Sequence, residues 1–287
     1  VNSLADAQAV AGADVSDEAL PAPLRQRPVL RIGGAAREAV LDAILDEVPV
    51  ALAYNGISHA VMMATPADLD DFALGFSLSE GILPDARQCY GIEVETAPEG
   101  VTVHLDVAAG AFAALKARRR ALAGHTGCGL CGVDSLRAVR RPLTPVAGSD
   151  LRVTPDVVAR ALAAIKGRQP LTAQTGAAHA AAWCGLDGSL AIVREDVGRH
   201  NALDKVVGAM AHAGVRPDGA DAGFLLLTSR VSLEMAQKAM VAGIAVVVGM
   251  SAPTLAAVEL ADAAGMTLLA FARGDGFVCY THARRLA

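Results

Sequence analysis

Cys128 and Cys131 stand three positions apart in Gly124-His125-Thr126-Gly127-Cys128-Gly129-Leu130-Cys131-Gly132, a stretch with four glycines and almost no apolar material. That composition predicts a mobile surface loop whose sulfurs a reaction partner can approach closely. Three chemistries fit a close thiol pair. As a metal site, His125, Cys128 and Cys131 would supply three ligands, but no second C-x-x-C or H-x-x-x-H lies near, and the fourth ligand would have to come from a distant cysteine. As a thioredoxin-like redox pair, the first cysteine should open a helix directly after a strand, whereas glycines flank this one. Sulfur transfer through a persulfide needs an accessible, activated thiolate on a segment able to travel, and that requirement matches the stretch best. The flanks favour the thiolate: residues 116–141 hold seven basic side chains (Lys116, Arg118, Arg119, Arg120, Arg137, Arg140, Arg141) against one acid, Asp134, in a chain of net charge −5.

A second concentration of chemistry is Arg194-Glu195-Asp196-Val197-Gly198-Arg199-His200-Asn201-Ala202-Leu203-Asp204-Lys205, at an expected strand-to-helix transition. Helix capping by Asp196 with solvated followers accounts for part of it. Arg199, His200, Asn201 and Lys205 within a turn and a half also fit recognition of an anionic, hydrogen-bonding ligand. His179 invites comparison with the H-x-E motif of zinc deaminases, but Ala181 occupies the position of the proton-moving Glu, and the C-x-x-C precedes the His. Deamination is therefore argued against.

The elements that must position these groups can be read from periodicity and punctuation. Strands over 49–54 and 57–64 joined by Asn55-Gly56 form a hairpin. Thr65-Pro66 then caps a helix that ends before Gly81, and a second hairpin pairs 92–96 with 101–107. A helix over 111–122 leads into the cysteine stretch, a short helix follows over 134–140, and Thr154-Pro155-Asp156 opens another that stops near Gly167. Strands over 179–183 and 189–194 precede a helix over 199–212. The last third alternates strand 223–227, helix 232–242, strand 244–248, helix 253–264 and strand 266–271, which implies a parallel sheet. The carboxyl ends of its strands run into Thr228-Ser229-Arg230, Ser251-Ala252-Pro253-Thr254 and Arg273-Gly274-Asp275-Gly276, the places where open α/β sheets bind ligands.

A chain of 287 residues suggests two domains and a sizeable core; with 53% hydrophobic but only 3% aromatic residues, that core is built from Ala, Val, Leu and Ile. No run of eighteen apolar residues marks a membrane span, and the acidic start lacks the pattern of a secretory signal. Residues 1–27 are expected to be a disordered tail, 28–121 a small α+β domain, and 122–287 the cysteine loop with an α/β domain. Five cysteines, an odd number, fit thiols kept free in a reducing cytoplasm, with Cys89, Cys184 and Cys279 as small buried hydrophobes.

Four ordered stretches together resemble the formate dehydrogenase accessory sulfurtransferases, the FdhD/NarQ family. They are Thr126-Gly127-Cys128-Gly129-Leu130-Cys131-Gly132, Glu195 through Lys205, Thr228-Ser229-Arg230 with Ser232-Leu233-Glu234-Met235, and Phe271-Ala272-Arg273. The resemblance implies a cytoplasmic protein, often a homodimer, with a cytidine-deaminase-like α/β core that has no deaminase chemistry. It implies that Cys128 receives sulfur from a cysteine desulfurase as a persulfide, with Cys131 as an auxiliary thiol. The sulfur then passes to a molybdenum or tungsten bis-pterin guanine dinucleotide cofactor, a transient cargo that GDP mimics in part, before insertion into formate dehydrogenase. Phe271, Ala272, Arg273, Gly274, Asp275 and Gly276 match the family's cofactor-binding stretch, and Thr228, Ser229, Arg230, Arg199, His200 and Asn201 are candidate contacts. No resident metal, nucleic acid or membrane is expected among its partners.

Overall fold

The computed structural model describes residues 19–33, 36–123, 145–146 and 150–287. Two sheets form the body. The first has the order β4-β3-β6-β5, from β3 (Val48–Tyr54), β4 (Ile57–Ala64), β5 (Cys89–Ala97) and β6 (Gly100–Val107). The β3–β4 turn is Asn55-Gly56, both at positive φ, as a tight hairpin requires. Asn55 also holds the end of β6, donating from Nδ2 to Val107 O and accepting from Val107 N. One face of this sheet, including Val50, Leu52, Val103 and Leu105, packs on Leu69, Phe72 and Ala73 of α1 (Leu69–Ser79) and on Leu115 of α2 (Ala109–Ala123).

The second sheet has the order β12-β11-β10-β9-β7-β8. Its strands are β7 (His179–Gly185), β8 (Leu190–Asp196), β9 (Gly223–Leu227), β10 (Val246–Gly249), β11 (Thr267–Arg273) and β12 (Gly276–Thr281). Strands β9, β10 and β11 are parallel, while β7 and β12 run antiparallel to their neighbours. Alternate residues face opposite ways. Phe224, Leu226, Val246 and Val248 meet α3 (Pro155–Ile165), while Leu225, Leu227 and Val247 meet α5 (Arg199–His212), α6 (Leu233–Val241) and α7 (Leu255–Ala263). A short α4 (Pro170–Thr175) precedes β7. The class is mixed α/β, and the strand–helix alternation of the last third is as expected, including Thr154 capping α3 through Val157 N.

Other expectations need correction. Residues 24–27, expected in the tail, belong to β1 (Leu24–Gly33), which pairs with β2 (Ala36–Leu45) as a separate two-stranded ribbon; residues 1–18 and 134–140 lie outside the described residues. Helix α1 starts later than Thr65-Pro66 predicts: Asp68 is its N-cap, at φ 51 and without a side-chain cap. Thr65 is engaged elsewhere, accepting from Val197 N at 3.0 Å and donating its own N–H to Asp196.

The two sheets are joined where α1 crosses α5, and the crossing is close because of two glycines. A Cβ on Gly75 would lie 1.7 Å from Asp204 O, and one on Gly208 would lie 1.9 Å from Asp71 O. Ionic groups surround the crossing. Lys205 and Asp196, both without solvent exposure, are 2.7 Å apart. Lys238 lies 2.8 Å from both Asp204 and Glu80. Asp71 binds Arg194 at 2.6 Å and His212 at 2.8 Å.

Two substitutions test this joint by urea denaturation. Gly208→Ala forces the helix backbones apart and should destabilise by at least ~1–3 kcal/mol, the usual range for overpacking. Lys205→Met strands a buried carboxylate and should cost about 3–5 kcal/mol. Wild-type midpoints in both would show that the crossing is not a constraint.

Candidate functional site

The parallel strands β9, β10 and β11 end at one edge of the six-stranded sheet. Because β7 runs the other way, its first residue, His179, lies at this edge too, opposite Asp196 at the end of β8. Helices α5, α6 and α7 all begin here. The N-caps of α5 and α6, Gly198 and Ser232, make no side-chain cap, whereas Thr254 caps α7 through Ala257 N. The first amides of α5 and α6 are thus left without a side-chain acceptor, the condition in which a helix start attracts an anion.

The loops at the edge are cross-braced. Val231 N donates to Ala252 O and Thr254 N to Val231 O, tying the loop after β9 to that after β10. Phe271 N donates to Ser251 O at 3.2 Å, tying in β11. Thr228 is locked to β7: its Oγ1 accepts from Ala180 N at 2.9 Å and its N–H donates to Ala180 O. Ser229 is buried, and Arg230 beside it is exposed.

The stretch from Phe271 to Gly276 is less of a loop than its composition predicts. Strand β11 continues to Arg273, Gly276 opens β12, and only Gly274-Asp275 make the turn, with Gly274 at φ +59. Ala272 lies in the core against α3 and offers no side chain to a ligand. Phe271 does: it sits in a ladder irregularity at φ 53, which turns it out of the sheet to 45% exposure.

The charged stretch from Arg194 to Lys205 divides in two. Glu195 holds the start of α4, accepting from Leu171 N and Thr172 N at 2.8 Å each. Asp196 is no helix cap but a buried acceptor for Thr65 N, Gly198 N and Asn201 Nδ2. Asn201 turns inward, its amide also donating to Met63 O at 2.9 Å. Arg199 and His200 are left for the edge. The Arg199 Nε is buried and has no partner, the single such side-chain nitrogen or oxygen among the described residues. His200 Nε2 lies 3.0 Å from Glu234 of α6, a contact that no spacing in the sequence announces. Burial, then the Arg199 charge, push His200 and His179 below the usual histidine range, against Glu234 and Asp196 respectively.

Cys128, Cys131 and His125 lie outside the described residues. Of the other cysteines, Cys184 is buried as expected, but Cys89 and Cys279 are only partly so, because each sits on an edge strand. Burial raises all three thiols, the wrong direction for a reactive thiolate.

Comparison with known proteins decides the family. The family model described as FdhD/NarQ family matches residues 45–287. The chain belongs to the FdhD/NarQ family. A relative named sulfur carrier protein FdhD from Variovorax paradoxus (strain S110) is 54% identical over 245 residues, 85% of this chain and 87% of that protein. One of the same name from Xanthomonas oryzae pv. oryzae (strain MAFF 311018) is 51% identical over 260 residues, 91% of each. The fold is shared with a crystal structure described as a candidate formate dehydrogenase accessory protein from Desulfotalea psychrophila, at a TM-score of 0.71, 22% identity and 92% coverage of this chain. Among the described residues of this FdhD/NarQ chain, no helix is long and apolar enough to cross a membrane.

The histidines give the edge a pH dependence with a definite sign. Their folded pKa values lie below the unfolded value of about 6.5, so in that window the unfolded chain binds more protons and stability falls as pH drops. A His179→Asn/His200→Asn double variant should lose less stability than the wild type between pH 7 and pH 5.5 in chemical denaturation. Equal losses would mean that neither imidazole is held neutral.

Proposed function

We propose that this protein is a sulfur carrier for formate dehydrogenase maturation. Cys128 takes sulfur from a cysteine desulfurase as a persulfide. The sulfur passes to a molybdenum or tungsten bis-pterin guanine dinucleotide cargo bound at the sheet edge, before that cargo enters formate dehydrogenase. Membership of a family whose curated relatives are named sulfur carriers is the observation that carries this reading.

From this chain the chemistry needs two thiols; a persulfide donor and an external thiol reductant supply the rest. The Cys128 thiolate attacks the outer sulfur of the donor persulfide; a new S–S bond forms on Cys128 as the donor's breaks, and the donor cysteine leaves as thiolate. Handing the sulfur on as sulfide takes two electrons. The Cys131 thiolate supplies them by attacking Cys128 Sγ, closing a disulfide and expelling the sulfide, and an external thiol reductant reopens that disulfide. The basic residues of 116–141 favour both thiolates.

The edge supports the cargo half of the reading. From β11 to β8 it spans four strand spacings, roughly 19 Å at ~4.8 Å each, room for an elongated, phosphate-bearing molecule. Uncapped starts of α5 and α6, Arg199, Arg230 and Arg273 favour anions there, and exposed Phe271 offers a ring to a base. The core is read as cytidine-deaminase-like without deaminase chemistry, which fits Ala181 buried on β7 where a glutamate would be needed.

Intact-mass analysis after incubation with a cysteine desulfurase and cysteine should find one added sulfur on the wild type. Cys128→Ala should abolish loading and formate dehydrogenase maturation; Cys131→Ala should only reduce them, since an external thiol can take over its part. Loading that survives Cys128→Ala and vanishes in Cys131→Ala would reverse the roles. A double variant that still matures the enzyme would make the protein a cofactor chaperone that moves no sulfur.

The cargo seat has its own test. Millimolar GDP should raise the melting temperature, because a ligand that binds only the folded state stabilises it by mass action. Arg199→Gln should shrink the shift. No shift in the wild type would remove the edge as the seat.

A further inference from the structure

Thr65 stands where the sequence predicts a cap for α1, yet it caps nothing and is fully buried just past the end of β4. Pro66 disfavours helical backbone at the residue before it, which fits the late opening of α1 at Leu69. The polar groups of Thr65 reach instead to the connection between β8 and α5, 131 to 140 residues further along the chain. Its N–H donates to Asp196 Oδ2 at 3.0 Å, its Oγ1 accepts from Val197 N at 3.0 Å, and its carbonyl accepts from Lys205 Nζ at 3.1 Å.

Gly198, the N-cap of α5, has no side chain with which to hold the start of its helix. The two amides ahead of that start are held from outside it: Val197 N–H by Thr65 Oγ1, and Gly198 N–H by Asp196 Oδ1 at 2.8 Å. An ordinary cap would fix the same point by occupying the second or third amide of the helix. This brace leaves those amides without a side-chain acceptor, and Asp196 adds no net charge because Lys205 lies 2.7 Å from it. Arg199 follows directly, its Nε buried without a partner. We propose that Thr65 is a positioning residue for the cargo seat: its hydroxyl holds the peptide ahead of α5, so that Arg199 and the open amides of α5 stay aimed at the sheet edge. The assignment rests on the reading of that edge as an anion seat. Chemistry singles out the hydroxyl, since valine matches threonine in shape but offers Val197 N–H no acceptor, whereas serine keeps the acceptor. A residue that merely filled space would tolerate valine and suffer with serine; one that holds the peptide does the reverse.

The test compares Thr65→Val with Thr65→Ser in two readouts. By isothermal titration, Thr65→Val should weaken GDP binding about tenfold, the order of one lost hydrogen bond, and Thr65→Ser should stay near wild type. The second readout is NMR titration of His179 and His200. Burial and then the Arg199 charge hold both imidazoles low; Asp196 opposes this at His179, and at His200 Glu234 opposes it while Lys238 adds to it. With Arg199 no longer held, both should titrate at higher pH in Thr65→Val and as in the wild type in Thr65→Ser. Titrations unchanged in Thr65→Val, or changed alike in Thr65→Ser, overturn the proposal. If the wild type binds no GDP, the cargo reading fails, and the imidazoles alone decide the positioning role. If Thr65→Val does not fold, hydrogen exchange in the wild type decides: the Val197 amide must exchange as slowly as those of Val206 and Val207, buried in α5, and exchange at the rate of a free loop amide overturns the brace.

Discussion

The crossing of α1 and α5 is the constraint on which the rest of the molecule depends. Gly75 and Gly208 let the two backbones approach until neither position tolerates a methyl group. At such a distance no side chain can serve as spacer, so the geometry must be fixed by polar groups at the margins. Lys205 with Asp196 lies at one end, and Lys238 with Asp204 and Glu80 at the other. Desolvating these charges offsets much of their attraction, so their worth lies less in net stability than in permitting one register. With any other register, a carboxylate or ammonium would be buried without its partner.

That register is also what builds the candidate site. Asp196 receives Thr65 N from the end of β4 and Gly198 N from the start of α5. Asn201 reaches Met63 O, and Lys205 Nζ donates to Thr65 O. The first turn of α5 is therefore pinned between the two sheets, and Arg199 and His200 face the edge because their neighbours are held inward. Residues at the interface and residues at the edge alternate within one helical turn, so the site is as rigid as the joint.

This explains why the sequence was legible in some places and not in others. The Asn55-Gly56 hairpin and strands β9, β10 and β11 are local: turn chemistry or a short apolar run is enough, whereas β12, a half-exposed edge strand, carries no such run and is not read from the sequence. The stretch from Arg194 to Lys205 is not. Its polarity reads as a ligand surface, yet Glu195, Asp196, Asn201, Asp204 and Lys205 are buried against partners such as Thr65, Met63 and Ser79, more than a hundred residues away for Thr65 and Met63 from Asp196 and Asn201, and for Ser79 from Asp204. No periodicity encodes such partners. The ribbon is not legible for a similar reason: residues 24–27 fall within the expected tail, and β1 is recognisable only with β2 paired opposite it. At Phe271 the motif was legible, but the bulge that turns the ring outward was not.

Glu234 tempers the positive charge of the edge. It stands in the first turn of α6, where its charge already complements the helix start that a phosphate would seek. On the proposed reading, an arriving anion would meet the repulsion of this carboxylate beside amides that no side chain occupies. The 3.0 Å contact with His200 decides how far Glu234 can yield. With His200 neutral, the carboxylate is held by hydrogen bonds with His200 and, at 3.4 Å, from Ser232 Oγ; with His200 charged, it is held by an ion pair while the imidazolium itself would attract an anion. Arg199, whose Nε lacks a partner, then supplies the attraction that depends on neither group. An edge that pairs a fixed cation with an adjacent carboxylate would hold an anionic ligand less tightly than a purely basic pocket, which is what the proposed carrier role requires of it.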